Sequence, residues 1–158
     1  MNFRLLGAVA GGSVIESICD VDANTQAIEV GDFIVNDSTA GYGLFAPDGS
    51  SSSNVWLGLC STESTHTTTA DGIAYYQWHP TGIKVEGTVT TAANLALALI
   101  GTKVTLDVPS AAVQKIDEND TSSGVLFIAR PPAGYTDFDT TDGLGVVVYA
   151  PCHQTHIA

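Results

Sequence analysis

Positive charge is what this chain has least of. Of its 158 residues only 5 are Lys or Arg, against 17 Asp or Glu, giving a formal net charge of −12. Gripping a phosphate backbone takes clustered Lys and Arg. Arg4, Lys84, Lys103, Lys115 and Arg130 stand far apart in sequence, so neither direct nucleic-acid binding nor attachment to an anionic membrane is expected. Charge of either sign is sparse at 14%, below the roughly 25% of ordinary soluble domains. Cysteine is sparse too. Cys19, Cys60 and Cys152 are odd in number and widely spaced, so no disulfide framework is implied. They read as buried, reduced thiols of a protein made in a cytoplasm. No apolar run approaches the ~20 residues of a membrane-spanning helix.

What replaces charge is Thr, Ser, Asn and Gly alongside 44% hydrophobic residues. Thr favours strands, and Gly, Asn and Asp favour turns. The length suits one domain, long enough to bury a core without covalent staples. The opening ten residues, Met1 to Ala10, faintly imitate a signal peptide, but the apolar run is short before Gly11-Gly12. They read as an arm or first strand. The expected organisation is an N-terminal arm over residues 1–12 and a single β domain over residues 13–158.

Along the chain the apolar runs are short and end at Gly, Pro, Asp or Ser, the pattern of an all-β protein. Strands are expected at Ser13–Cys19, Phe33–Val35, Gly41–Ala46, Val55–Cys60, Ile73–His79, Ile83–Val89, Lys103–Val108, Val113–Ile116, Gly124–Ala129 and Leu144–Tyr149. In the fifth, Ile73, Tyr75 and Gln77 share one face and Ala74, Tyr76 and Trp78 the other. One segment departs from the pattern. Thr91 is placed to cap a helix over Ala92–Ile100, with Gly101 as its stop, although the Ala/Leu alternation also suits a strand. Strands at this spacing fit a β-sandwich, jelly-roll-like or a distorted barrel, with at most one short helix.

Catalytic machinery is also missing. Gly11-Gly12-Ser13-Val14 lacks the second Gly of a nucleophile elbow. His79 precedes Pro80 and reads as a turn residue. Cys152, His153 and His156 form the best metal-like grouping, but no second ligand pair accompanies them. Asp137, Asp139 and Asp142 precede Gly143, yet their spacing departs from a calcium loop and Val148 occupies the position of its closing Glu. Asp117 to Asp120 is a solvated turn. Glu16, Glu29, Glu63, Glu86 and Glu118 lack any supporting motif for glycoside hydrolysis. No phosphate loop or dinucleotide fingerprint is present. The reading is a non-enzyme with no metal and no cofactor. Trp56, Tyr75, Tyr76 and Trp78 are open to three uses: core, protein interface or a stacking platform for sugars.

Several segments together resemble the small capsid decoration, or cement, proteins of tailed bacteriophages. These are Val30–Val35, the Leu57–Cys60 strand with the Thr-rich loop and aromatic strand after it, Ile100–Asp107, and the closing pair Gly124–Ile128 and Gly145–Tyr149. The similarity spans roughly residues 25–150 and is one of pattern. It implies a virion structural protein on the outer capsid surface, made in the host cytoplasm, that binds the major capsid protein and stabilises the lattice, often as a homotrimer. The interface residues expected on this reading are Phe3, Arg4, Leu5 and Leu6 of the arm and Tyr76 and Trp78 of the aromatic strand. The alternative is a carbohydrate-binding β-sandwich module of a fibre or adhesin, using that same strand.

Overall fold

The computed structural model describes residues 1–37 and 41–152. Eleven strands are present: β1 (Arg4–Ala8), β2 (Ile15–Val21), β3 (Phe33–Asn36), β4 (Gly43–Phe45), β5 (Trp56–Thr62), β6 (Gly72–Trp78), β7 (Ile83–Gly87), β8 (Lys103–Ser110), β9 (Val113–Asp117), β10 (Leu126–Arg130) and β11 (Val146–Ala150). They form two antiparallel sheets packed as a sandwich-like single domain. One sheet has six strands in the order β1-β7-β11-β10-β8-β9, and the other five in the order β2-β6-β5-β3-β4.

Alternation puts one face of each strand into the space between the sheets. Ile83 and Val85 of β7, Val104 and Leu106 of β8, Leu126 and Ile128 of β10, and Val146 and Val148 of β11 meet Phe33, Val35, Trp56 and Leu59 from the other sheet. Phe33 is the centre of an aromatic chain, with its ring 4.6 Å from Phe3 and 5.2 Å from Trp56. Gln114 of β9 crosses this core. Its Nε2 donates to the carbonyls of Phe33 and Ala46, and its Oε1 accepts from the Phe33 N–H.

A second, smaller core lies on the opposite face of the five-stranded sheet, where Val21, Ile28, Ile34, Phe45, Leu57, Cys60, Ala74 and Tyr76 pack together. It exists because that sheet curls until its two outer strands, β2 and β4, touch. Gly43 sits at that seam, against the Cys19 side chain, where a Cβ would have no room. The five-stranded sheet is thus strongly curled but open, and of the expected architectures the sandwich is the one present.

The structure corrects two details. Residues 1–12 are stitched into the fold and do not form a free arm. β1 pairs with β7, Phe3 N–H donates to Gly31 O, and Asn2 Nδ2 donates to Asp32 Oδ1 and Ala112 O. Gly31 (φ +91°) permits this, since Met1 and Phe3 occupy the space a side chain there would need. The Ala92–Ile100 segment is likewise no continuous helix. It makes two 3₁₀ turns, Ala92–Asn94 and Leu97–Leu99, and Thr91 makes no side-chain cap. Leu95 and Ala96 between them are extended, which lets Leu95 drop into the core while Leu97 stays exposed. Leucines at every second position cannot all share one helical face, so the chain settles on turns.

Candidate interaction surfaces

The six-stranded sheet gathers what the sequence scatters. Val85, Leu106, Ile116, Ile128 and Val148 point inward, so their neighbours on each strand point out. Cross-strand register then sets Lys84 of β7 opposite Tyr149 of β11, Tyr149 opposite Phe127 of β10, and Phe127 opposite Lys103 of β8. Phe127 and Tyr149 are stacked, with ring centroids 5.7 Å apart and planes 14° off parallel. Arg4 faces Glu86 one row away, Arg130 faces Val147 beyond a bulge, and Lys115 of β9 faces Asp107 of β8. All five cations therefore project from one face. Arg4 and Glu86, at 2.6 Å, form the sole ion pair among the described residues. Among the described residues the other four cations have no carboxylate within ion-pair distance.

The five-stranded half is the electrostatic opposite. Between residues 5 and 83 the chain carries nine carboxylates and no Lys or Arg. On the outer face of β2, Glu16 and Asp20 flank Ile18, which pairs across to Tyr75 of β6. Ile18 is 51% exposed and Tyr75 36%. Glu16 accepts a hydrogen bond from Ser61 Oγ at 2.8 Å.

Two hollows open beside the six-stranded sheet. The larger, about 620 Å³, is lined by Arg4, Glu86 and the loop after β10, including Pro132, Tyr135, Phe138 and Leu144. Phe138 anchors that loop in the core, while Tyr135 (72%) and Leu144 (52%) stand exposed at its rim. The smaller, about 380 Å³, is bounded by Val9, Pro80, Val125 and Pro151 and includes the Phe127 and Tyr149 rings.

The six expected interface residues divide by their surroundings. Arg4 is exposed and lines the larger hollow. Leu6 sits half-buried at the β1 bulge, and Leu5 packs against the main core. Phe3 (1% exposed) and Tyr76 (4%) are core residues. Trp78 is half-buried between both cores, with its Nε1 donating to Ser17 Oγ. Strand β6 thus presents Tyr75 alone as an exposed aromatic ring. The correction has a simple cause: β6 is an interior strand of a curled sheet, so its second face is enclosed by β2 and β4. A second aromatic pair at the surface, the half-buried Phe127 and Tyr149, was missed because the two residues lie 22 positions apart in sequence. Only strand register joins them.

The acidic loops are organised by their own turns. Asp139 Oδ1 accepts from the Thr141 and Asp142 N–H groups, and Asp137 Oδ1 from the Phe138 N–H. Among the described residues no group of three or more His, Cys, Asp or Glu is placed to hold a metal ion. His153 and His156 of the C-terminal metal-like grouping lie outside the described residues. His79 Nδ1 sits 2.8 Å from Thr81 Oγ1 in its turn. Asp32 is buried beneath the N-terminal segment, and that burial pushes its carboxyl pKa up, against the lowering effect of the Glu29 N–H and Asn2.

All three thiols are free. Burial pushes Cys19 up to about 11 and Cys60 and Cys152 to about 12. The thiolate is the reactive form. The native protein at pH 8 should therefore release almost no chromophore from Ellman's reagent over minutes, and all three equivalents once unfolded in urea. Fast reaction of any one thiol in the native state would contradict the burial.

No protein-family model, curated protein or solved structure matches this chain. Fold and surface define a two-sheet β domain with its cations on one sheet face and a five-stranded half that carries carboxylates without Lys or Arg.

Proposed function

We propose that this protein is a capsid decoration protein of a tailed bacteriophage, a structural component that binds the major capsid protein on the outer surface and stabilises the lattice. The observation that carries a docking role is the larger hollow, where Tyr135 and Leu144 stand exposed beside the Arg4–Glu86 pair. Exposed apolar side chains at the rim of a concave site are the usual anchors for a partner segment. The partner's identity as a capsid protein rests on the resemblance in strand pattern. The net charge fits the exterior position, because an acidic shell protein is not drawn to packaged DNA. Repetition across an icosahedral lattice lets modest contacts suffice, and a trimeric arrangement multiplies them.

The test is cosedimentation of the purified protein with capsids of the phage that encodes it, followed by imaging of the decorated particles. Saturable binding is expected. The double substitution Tyr135→Ala with Leu144→Ala should weaken it at least about tenfold, since each exposed anchor is worth on the order of 1 kcal/mol or more when covered. Absence of the protein from purified particles would sink the proposal.

A further inference from the structure

We infer that the outer face of the six-stranded sheet docks onto the β2–β6 face of a second copy of this chain, head to tail. The two patches match in spacing as well as in sign. Lys84 and Lys103 are separated by three interstrand steps, which is about 14 Å. Glu16 and Asp20 are separated by four residues along β2, also about 14 Å at strand rise. Each pair brackets an apolar centre, Tyr149 and Phe127 in one case and Ile18 with Tyr75 in the other. A crossed arrangement of the two sheets therefore sets two lysines on two carboxylates with four apolar side chains between them.

The occupant follows from the charge distribution. Among the described residues Lys84 and Lys103 have no carboxylate within 4.0 Å, although acids outnumber bases 17 to 5 in the chain. Nine of the 17 carboxylates lie between residues 5 and 83, a stretch with no Lys or Arg, and among the described residues none of them pairs with Lys84 or Lys103. A second copy supplies them. Two copies of net charge −12 repel overall, and only the head-to-tail orientation turns that repulsion into local attraction. The contact is heterologous, because the two surfaces are different. Repeated, it closes into a ring or runs on as a filament according to its rotation angle. The inference needs no capsid and stands apart from the decoration reading.

Sedimentation velocity on the full chain, at 50 mM and 500 mM NaCl, gives the first measurement. Concentration-dependent association is expected at low salt, weakening by about tenfold or more at high salt as the charge pairs are screened. The decisive measurement uses two charge-reversed proteins, K84E/K103E and E16K/D20K, both changed only at surface positions and checked for native circular dichroism. Each alone should fail to associate. Their equimolar mixture should associate again with the two variants in alternation, because the untouched surfaces match across the mixture and so do the two reversed ones. A wild-type protein that stays monomeric near 1 mM at low salt overturns the inference, as does a mixture that stays unassociated. So does a monomeric wild type that binds heparin through Lys84 and Lys103, which would assign the face to polyanions.

Discussion

Trp56→Ala should remove about 4 kcal/mol of folding stability, read as a shift in the urea midpoint at unchanged slope. Trp56 is fully buried at the start of β5. Its ring meets Phe33 edge-on at 5.2 Å, and its Nε1 donates to the Ser51 carbonyl at 3.0 Å. Truncation loses three things at once: the transfer energy of a large side chain, the edge-to-face contact, and the donor for Ser51. The hollow cannot collapse easily, since both sheets supply its walls. Against a typical domain stability of about 5–15 kcal/mol this is a large fraction, and the melting point should fall by about 8–16 °C. A loss under about 2 kcal/mol would show that Trp56 is not packed as described.

Gln114→Ala should cost about 3 kcal/mol by the same measurement, an unusual penalty for a neutral polar residue. Gln114 is 2% exposed and makes three hydrogen bonds to the backbone of the opposite sheet. Removing it leaves the Phe33 N–H without its Gln114 acceptor and removes a donor from the carbonyls of Phe33 and Ala46. Gln114→Leu fills most of the volume but repairs none of those bonds, so it should be nearly as damaging. Equal stability of the Leu variant and wild type would show that shape, and not bonding, is what this position supplies. Because the bonds run between β9 and the β3–β4 corner, the residue also fixes how the two sheets register.

Local alternation carried most of the strand assignments. Ile83 to Val89 and Lys103 to Val108 read as strands because apolar and polar residues alternate, and that alternation is what the sandwich buries in β7 and β8. The Ala92–Ile100 stretch was ambiguous for a physical reason, since its two-residue leucine period conflicts with its alanine-rich helix propensity. The seam between β2 and β4 could not be read locally, because it depends on how far the sheet curls. The surfaces were hardest of all. Phe3 and Tyr76 look like interface anchors in sequence and are core in the structure. The five cations look dispersed in sequence and share one face in space. Long-range register decides both outcomes, and no window of neighbouring residues contains it.

The way the strands end has a consequence for growth. In the five-stranded sheet the two outermost strands lie against each other, so neither offers a long open ladder. In the six-stranded sheet, residues 88–90 already bond to Ile116 along the outer side of β9, and β1 is broken by a bulge next to charged Arg4. Templates for the runaway backbone pairing that drives amyloid are thereby blunted at every margin. An association of this protein through side chains in place of open strand edges would be reversible by salt and adjustable one residue at a time.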